Sequence, residues 1–291
     1  MSTTQSLSDR AMLVRVNIRM FNPIKTDKTI TAEVAQNHGS EVSMGRYAKS
    51  IIAKGCVDSL RKLAGEIRQE HYRRTLPWSD DGSRILTSAG YFPYAQFMRD
   101  CEAKWAPELN RFLGNWSEYV DDARIKLNGL FRLEDYPTPS ELASKFEFRW
   151  GVRPLPVDTD FRVQLSADET ASIRAELRSD LDATVKAAMQ DVWQRMREVV
   201  AKMSERLKAY DPNNPGTAPF RDSLVTNITE LLDVLPSLNL TNDPTLDAFA
   251  QEVRTGLTSH PANALRDNMY TRNDTINRAD EILSKMSAFI A

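Results

Sequence analysis

The stretch SADETASIRAELRSDLDATVKAAMQDVWQRMREVVAKMSERLKAY, residues 166–210, decides the fold. Ser166, Ala167, Asp168 and Glu169 form a capping box, in which hydroxyl and carboxylate satisfy backbone N–H groups that a helix start leaves unpaired. Behind it, Ile173, Leu177, Leu181, Val185, Ala188, Val192, Met196, Val199, Met203, Leu207 and Tyr210 recur on one stripe. They advance 37 residues in ten steps, or 3.7 per step. That spacing is nearer the 11-residue repeat than the heptad, so the helix should be nearly straight. A helix over 167–210 would run roughly 65 Å at 1.5 Å per residue. Most helices are about three turns long. The stripe is therefore either the spine of an elongated bundle within one chain or a seam between chains, with Leu177, Leu181, Val185, Val192 and Met196 as its interaction residues.

On the C-terminal side, Asp211-Pro212-Asn213-Asn214-Pro215-Gly216 reads as a linker, with two prolines, two asparagines and one glycine in six residues. Shorter helices are expected at about 219–235, 244–257 and 273–289, punctuated by Pro236, Pro244 and Pro261. The chain thus divides into a helical domain with a small sheet at 1–210, a linker at 211–216 and a helical C-terminal subdomain at 217–291.

On the N-terminal side, residues 12–20 alternate. Val14, Val16, Ile18 and Met20 point one way, and Arg15, Asn17 and Arg19 the other, as in a half-buried strand. A short helix is expected from Thr29 to His38, with Gly39 at its C-terminal end. Ile52, Cys56, Leu60, Leu63 and Ile67 mark a helical stripe over Met44–Tyr72. Ser79-Asp80-Asp81-Gly82 is a turn. Met98, Cys101, Trp105, Leu109, Phe112 and Trp116 place another helical region from Tyr94 to Leu127, which Pro107 either kinks or restarts. Thr138-Pro139-Ser140-Glu141 is a second capping box with proline at the first helical position. Strands near 146–153 and 161–165 read as a hairpin, which strand 12–20 could join through its apolar face. The fold class is mainly α: an elongated helical bundle with one very long helix and a small antiparallel β-sheet.

Composition bounds the function. In 291 residues, 38 basic side chains against 40 acidic ones leave a formal charge of -2. That excludes both a polycation coating nucleic acid and an acidic disordered tail. Apolar residues make up 41%, enough for a real core. Two cysteines, Cys56 and Cys101, are too few for a secreted disulfide scaffold of this size. No signal peptide and no stretch of ~20 apolar residues is found, so a soluble, cytoplasmic protein is expected.

Catalytic signatures are sparse. His38, His71 and His260 are scattered without ligand-spaced partners, and there is no phosphate loop, dinucleotide fingerprint or nucleophile elbow. The expectation is no enzyme, no cofactor and no metal. Arginines are the more informative set. Arg15, Arg19, Arg149, Arg153 and Arg162 would share the polar face of the sheet, with Glu147 the one opposing charge. Their planar forks match phosphate, which makes this face a candidate for single-stranded or duplex DNA. Outward cations that protect sheet edges would look the same. Arg73 and Arg74 belong to a second basic cluster, interleaved with His71, Tyr72 and Trp78 as in single-strand binders, or else complementing a helix dipole.

Three stretches carry a resemblance. They are Glu70-His71-Tyr72-Arg73-Arg74-Thr75-Leu76-Pro77-Trp78-Ser79-Asp80-Asp81-Gly82, then Ala89-Gly90-Tyr91-Phe92, and Phe220-Arg221-Asp222-Ser223-Leu224 running on to Leu235-Pro236-Ser237-Leu238-Asn239-Leu240. They resemble a family of unknown function carried by tailed bacteriophages and integrative or conjugative elements. The resemblance implies genomic company: genes for a MoxR-type AAA+ ATPase and a von Willebrand A-domain protein, sometimes beside recombination genes. It implies no catalytic residue. Two functions are then expected. One is a non-enzymatic adaptor or structural partner in an oligomeric assembly with such an ATPase. The other is a nucleic-acid-binding accessory of phage replication or recombination that uses the sheet arginines.

Overall fold

A computed structural model describes residues 7–156, 163, 166–214, 216 and 218–289. The chain is mainly α, with ten helices among the described residues, one four-stranded antiparallel sheet and one two-stranded sheet. Contacts divide it into two compact units. One comprises residues up to Arg15, His71–Tyr94 and Gly151 onward; the other comprises Val16–Glu70 and Ala95–Trp150. This division falls elsewhere than at 211–216, because the long helix and the C-terminal helices share one core.

In the first unit, β1 (Ala11–Arg19) pairs antiparallel with β5 (Ser83–Thr87), Leu13 opposite Ile85, and β5 pairs with β4 (Leu76–Pro77). The four-stranded order is β4-β5-β1-β6, with β6 at Glu147–Pro154. β1 and β6 continue into the second unit. The expected strand 161–165 lies outside the described residues except for Val163, which is exposed and irregular. Along β6 the alternation fails after Trp150, and Val152 is exposed.

The long helix, α6 (Ala167–Ala209), starts where the sequence places it, with the Ser166 hydroxyl accepting from the Glu169 N–H at 3.2 Å. From Ala188 onward its stripe is intramolecular. Ala188, Val192, Met196, Val200 and Met203 are fully buried among α7 (Ser223–Leu238), α8 (Pro244–Leu257) and α10 (Met269–Met286). Trp193 meets the edge of Phe249 at 5.3 Å, and Asp280 of α10 accepts from Ser204 and Lys208, each at 2.7 Å. The reading of Leu181, Val185, Val192 and Met196 as an intermolecular seam is corrected by this packing. Leu181 is buried and Val185 packs on the same core; of the five, Leu177 alone is exposed. A further short helix, α9 (Ala262–Asp267), precedes α10 and is fastened by the buried Arg272, which donates to the carbonyls of Leu265 and Arg266.

The second unit holds a two-stranded sheet, β2 (Ile24–Thr26) against β3 (Ala48–Ser50), and α1 (Lys28–Asn37). The helix expected over Met44–Tyr72 starts only at Asp58, as α2 (Asp58–Arg74). The segment before it instead forms 3-10 turns at Val42–Met44 and Lys54–Val57 around the strand Ala48–Ser50, from which Lys49 is drawn inward to an acidic pair. The next helix, α3 (Ser88–Gly114), begins six residues earlier than Tyr94. The Thr87 hydroxyl accepts from the Gly90 N–H at 3.2 Å and caps it, and the helix runs on through Pro107. α4 (Trp116–Leu127) follows, and α5 (Pro139–Ala143) carries both hydrogen bonds of its capping box. Phe21, Phe112, Trp116 and Phe146 form an aromatic core, with the Trp116 indole donating to the Pro137 carbonyl at 3.1 Å.

Candidate interaction surface

Within the first unit, residues quoted for the resemblance meet. The Thr87 hydroxyl donates to the Ser237 carbonyl at 2.5 Å, and Arg10 donates to the Leu240 carbonyl at 2.7 Å. A Cβ at Gly90 would stand 3.5 Å from that of Ser237, so the start of α3 and the end of α7 lie in contact there. Arg195 of α6 reaches the end of α2 and donates to the carbonyls of Tyr72 (2.9 Å), Arg73 (3.3 Å) and Thr75 (3.0 Å). These are carbonyls a helix end leaves unpaired. Asp191 holds the same guanidinium at 2.6 Å. Arg84 donates to the hydroxyl of Thr75 at 2.7 Å and lies over the Tyr72 ring at 4.7 Å. Arg73 and Arg74, expected as nucleic-acid contacts, are half-buried, and Arg73 reaches the Glu230 carbonyl at 3.4 Å.

His71 is buried against the Tyr94 hydroxyl at 2.9 Å. Burial, and then the nearby Arg84 charge, push its pKa down to about 4, and burial raises that of Tyr94. The folded-state value lies below the ordinary 6.5, so unfolded chains bind the extra proton. Stability from neutral His71 is complete above pH 6.5 and falls as pH drops toward 4, by about 2 kcal/mol at pH 5. A His71→Gln variant should flatten the melting temperature between pH 4 and 6.5; an unchanged slope would remove His71 as its source.

Of the arginines of the proposed sheet face, Arg15, Arg19, Arg149 and Arg153 are exposed on β1 and β6. In the second unit, Glu147 accepts from Asn17 (3.2 Å) and pairs with Arg149 (2.8 Å) and Arg19 (3.5 Å). One carboxylate thus offsets two guanidiniums, which weakens any phosphate-binding field there. Arg15 and Arg153 are exposed on strand segments assigned to the first unit, and Arg162 lies outside the described residues. A cleft of about 410 Å³ in the first unit is lined by Val185, Met189, Trp193 and Phe289, with Asp182 and Asp243 at hand. Among the described residues no group of three His, Cys, Asp or Glu could hold a metal ion, and no helix is long and apolar enough to cross a membrane.

Residues 24–44 of the second unit hold exposed apolar side chains that periodicity did not reveal. Their frame is polar. Asp27 caps α1 by accepting from the Ile30 N–H at 3.2 Å, and its other oxygen accepts from the Lys49 ammonium at 3.0 Å. Lys49 also meets Asp135 at 2.9 Å and donates to the Leu130 carbonyl at 2.6 Å. Burial pulls this ammonium down, but the hydrogen bonds to Asp135 and Asp27 outweigh it and hold the pKa above its ordinary value. The Lys49 hydrogen bond is the first of the causes that hold Asp27 below the usual carboxylate range. Thr31 donates to the Asp27 carbonyl and accepts from the Tyr47 N–H, tying α1 to the chain leading into β3. Gly39, at φ +61°, turns the chain out of α1.

On this frame α1 buries only Thr31 and Ala35. Its Val34 is 46% exposed; elsewhere in this segment Val42 is 53%, Met44 80% and Ile24 56% exposed. Four large apolar side chains stay in water within 21 residues of sequence. Exposed apolar side chains on a fixed frame are available to a partner, and contiguous ones mark interaction surfaces. The frame depends on pairings between Asp27, Lys49 and Asp135, far apart in sequence, so no local spacing signals it. Comparison with protein-family models, with curated proteins and with solved structures gives no match.

Proposed function

We propose that this chain is a non-enzymatic interaction protein, encoded by a phage or mobile element. It acts in the bacterial cytoplasm as an adaptor or structural partner in an oligomeric assembly with a MoxR-type AAA+ ATPase. The observation that carries the interaction role is the apolar set Ile24, Val34, Val42 and Met44, exposed on a frame fixed by a buried Lys49. The ATPase as partner rests on the family resemblance. Apolar side chains held in water at a fixed geometry gain about 1.5–3 kcal/mol each when a partner covers them.

The test is capture of the purified ATPase by the full chain. Val42→Glu with Met44→Glu should reduce capture at least about tenfold, since each 1.4 kcal/mol is a factor of ten. Both side chains are exposed, so the melting temperature should stay unchanged. Undiminished capture by this variant would sink the role of the surface; a wild-type chain that ignores the ATPase would sink the partner.

A further inference from the structure

Asn128 closes α4 in a conformation that few side chains adopt: φ is 44° and ψ is -115°. Among the described residues, it and Asn242 are the non-glycine residues at positive φ. Its backbone is clamped from both sides. The Asn128 N–H donates to the Arg124 carbonyl, and the Asn128 carbonyl accepts from the Phe131 N–H at 3.0 Å. Phe131 stacks on Tyr136 at 4.9 Å and lies under the Arg124 guanidinium at 5.2 Å, and the Leu130 carbonyl holds Lys49. Gly129 follows, making the one Asn-Gly step in the sequence, and both residues are exposed.

Around the Cα–C bond of an L-residue the Cβ is offset from the nitrogen by about 120°, so a ψ of -115° brings the Gly129 nitrogen within about 5° of eclipsing the Asn128 Cβ. That is the alignment of the planar five-membered ring which this nitrogen closes when it bonds to the side-chain carbonyl carbon. Glycine places no side chain beside the attacking atom. We propose that Asn128 is a site of self-modification, where the chain converts its own amide to an acid. In the first step the Gly129 nitrogen attacks Cγ of Asn128. A C–N bond forms there, the bond from Cγ to Nδ2 breaks, and the proton of the attacking nitrogen leaves with Nδ2 as ammonia. In the second step water opens the cyclic imide at either carbonyl. The product is an aspartate side chain or an isoaspartyl main chain longer by one methylene. Either carries a new negative charge at the C-terminal end of α4, where the helix dipole disfavours it. The lengthened chain also disturbs the Leu130 carbonyl that Lys49 uses. The step is independent of the adaptor reading.

The full chain, held at neutral pH either folded or in urea, is digested with trypsin, which frees the peptide Leu127–Arg132 behind Lys126. The readouts are the mass gain of amide-to-acid conversion in that peptide and the separate elution of its isoaspartyl form. The unfolded chain must find this ψ at every attempt and the folded chain holds it, so the folded chain should convert on the order of tenfold faster. Asn242 should stay intact, because the nitrogen that follows it, that of Asp243, already donates to the Asn239 side chain at 2.8 Å. A Cβ at Gly129 meets open space, so Gly129→Ala should keep the melting temperature while slowing conversion on the order of tenfold. Aged natural chain should melt lower than fresh chain, and aged Asn128→Gly should not. Conversion no faster in the folded chain than in urea, or spread evenly over the other asparagines, overturns the proposal. A rate untouched by Gly129→Ala overturns the Gly129 nitrogen as the attacking atom.

Discussion

Replacing Lys49 with methionine should destabilise the protein by about 3–5 kcal/mol, the cost of leaving buried charges without their partner. The ammonium is 3% exposed, with Asp27 at 3.0 Å and Asp135 at 2.9 Å. Methionine fills a similar volume but supplies neither charge nor donor, so Asp27 and Asp135 lose their counter-ion and the Leu130 carbonyl its donor. The structural consequence is local to the second unit: α1 loses the anchor of its N-cap, and the surface carrying Val42 and Met44 loses its frame. Urea unfolding followed by circular dichroism measures the loss. A triple variant, Lys49→Met with Asp27→Asn and Asp135→Asn, should recover part of it, because no ionised group is then stranded. A single variant within 1 kcal/mol of the natural chain would mean that the carboxylates find water instead.

Arg195→Ala should be nearly as costly, at about 2–4 kcal/mol, because hydrogen bonds from a charged donor contribute about 1.5–3 kcal/mol each and are not additive. One guanidinium serves three carbonyls at the end of α2 and pairs with Asp191. Lysine would keep the charge but lose the planar fork, so Arg195→Lys should recover only a small part. The measurement is again the urea midpoint, with amide exchange at His71–Leu76 as the local readout. Fast exchange there in Arg195→Ala, with α10 still protected, is the expected pattern; uniform protection would mean that the carbonyls are satisfied another way.

The long helix was legible because its signals are local: a capping box at Ser166 and a stripe whose period matches the helix. The same holds for Thr138–Glu141 and for α8, which starts at Pro244 behind its Asp243 cap. What the sequence withheld depends on contacts between distant residues. Lys49 reads as one more surface cation until Asp27 and Asp135 surround it, and that turned the expected helix start near Met44 into a strand. The charge balance of the arginine face was equally hidden, since Glu147 serves Arg19 and Arg149 together and strand alternation cannot show which cations share a counter-ion. The stripe left open whether its partner was its own chain. Packing with α7, α8 and α10 answers that from Ala188 onward, while Leu177 remains outside that core.

The way the chain divides has a bearing on the order in which it can be made. Residues 16–150 enclose every part of the second unit, whereas the first unit gathers its N-terminal strand, the segment 71–94 and everything from Gly151 on. Its contacts therefore close very long loops, Arg10 to Leu240 among them. Loop closure of that length is slow, and a ribosome delivers about 5–20 residues per second. The second unit can thus mature while α6 is still being synthesised. The first can pair its early strands but must wait for α7 and the later helices to complete its core, which makes the nascent chain up to that point the species that most needs a chaperone.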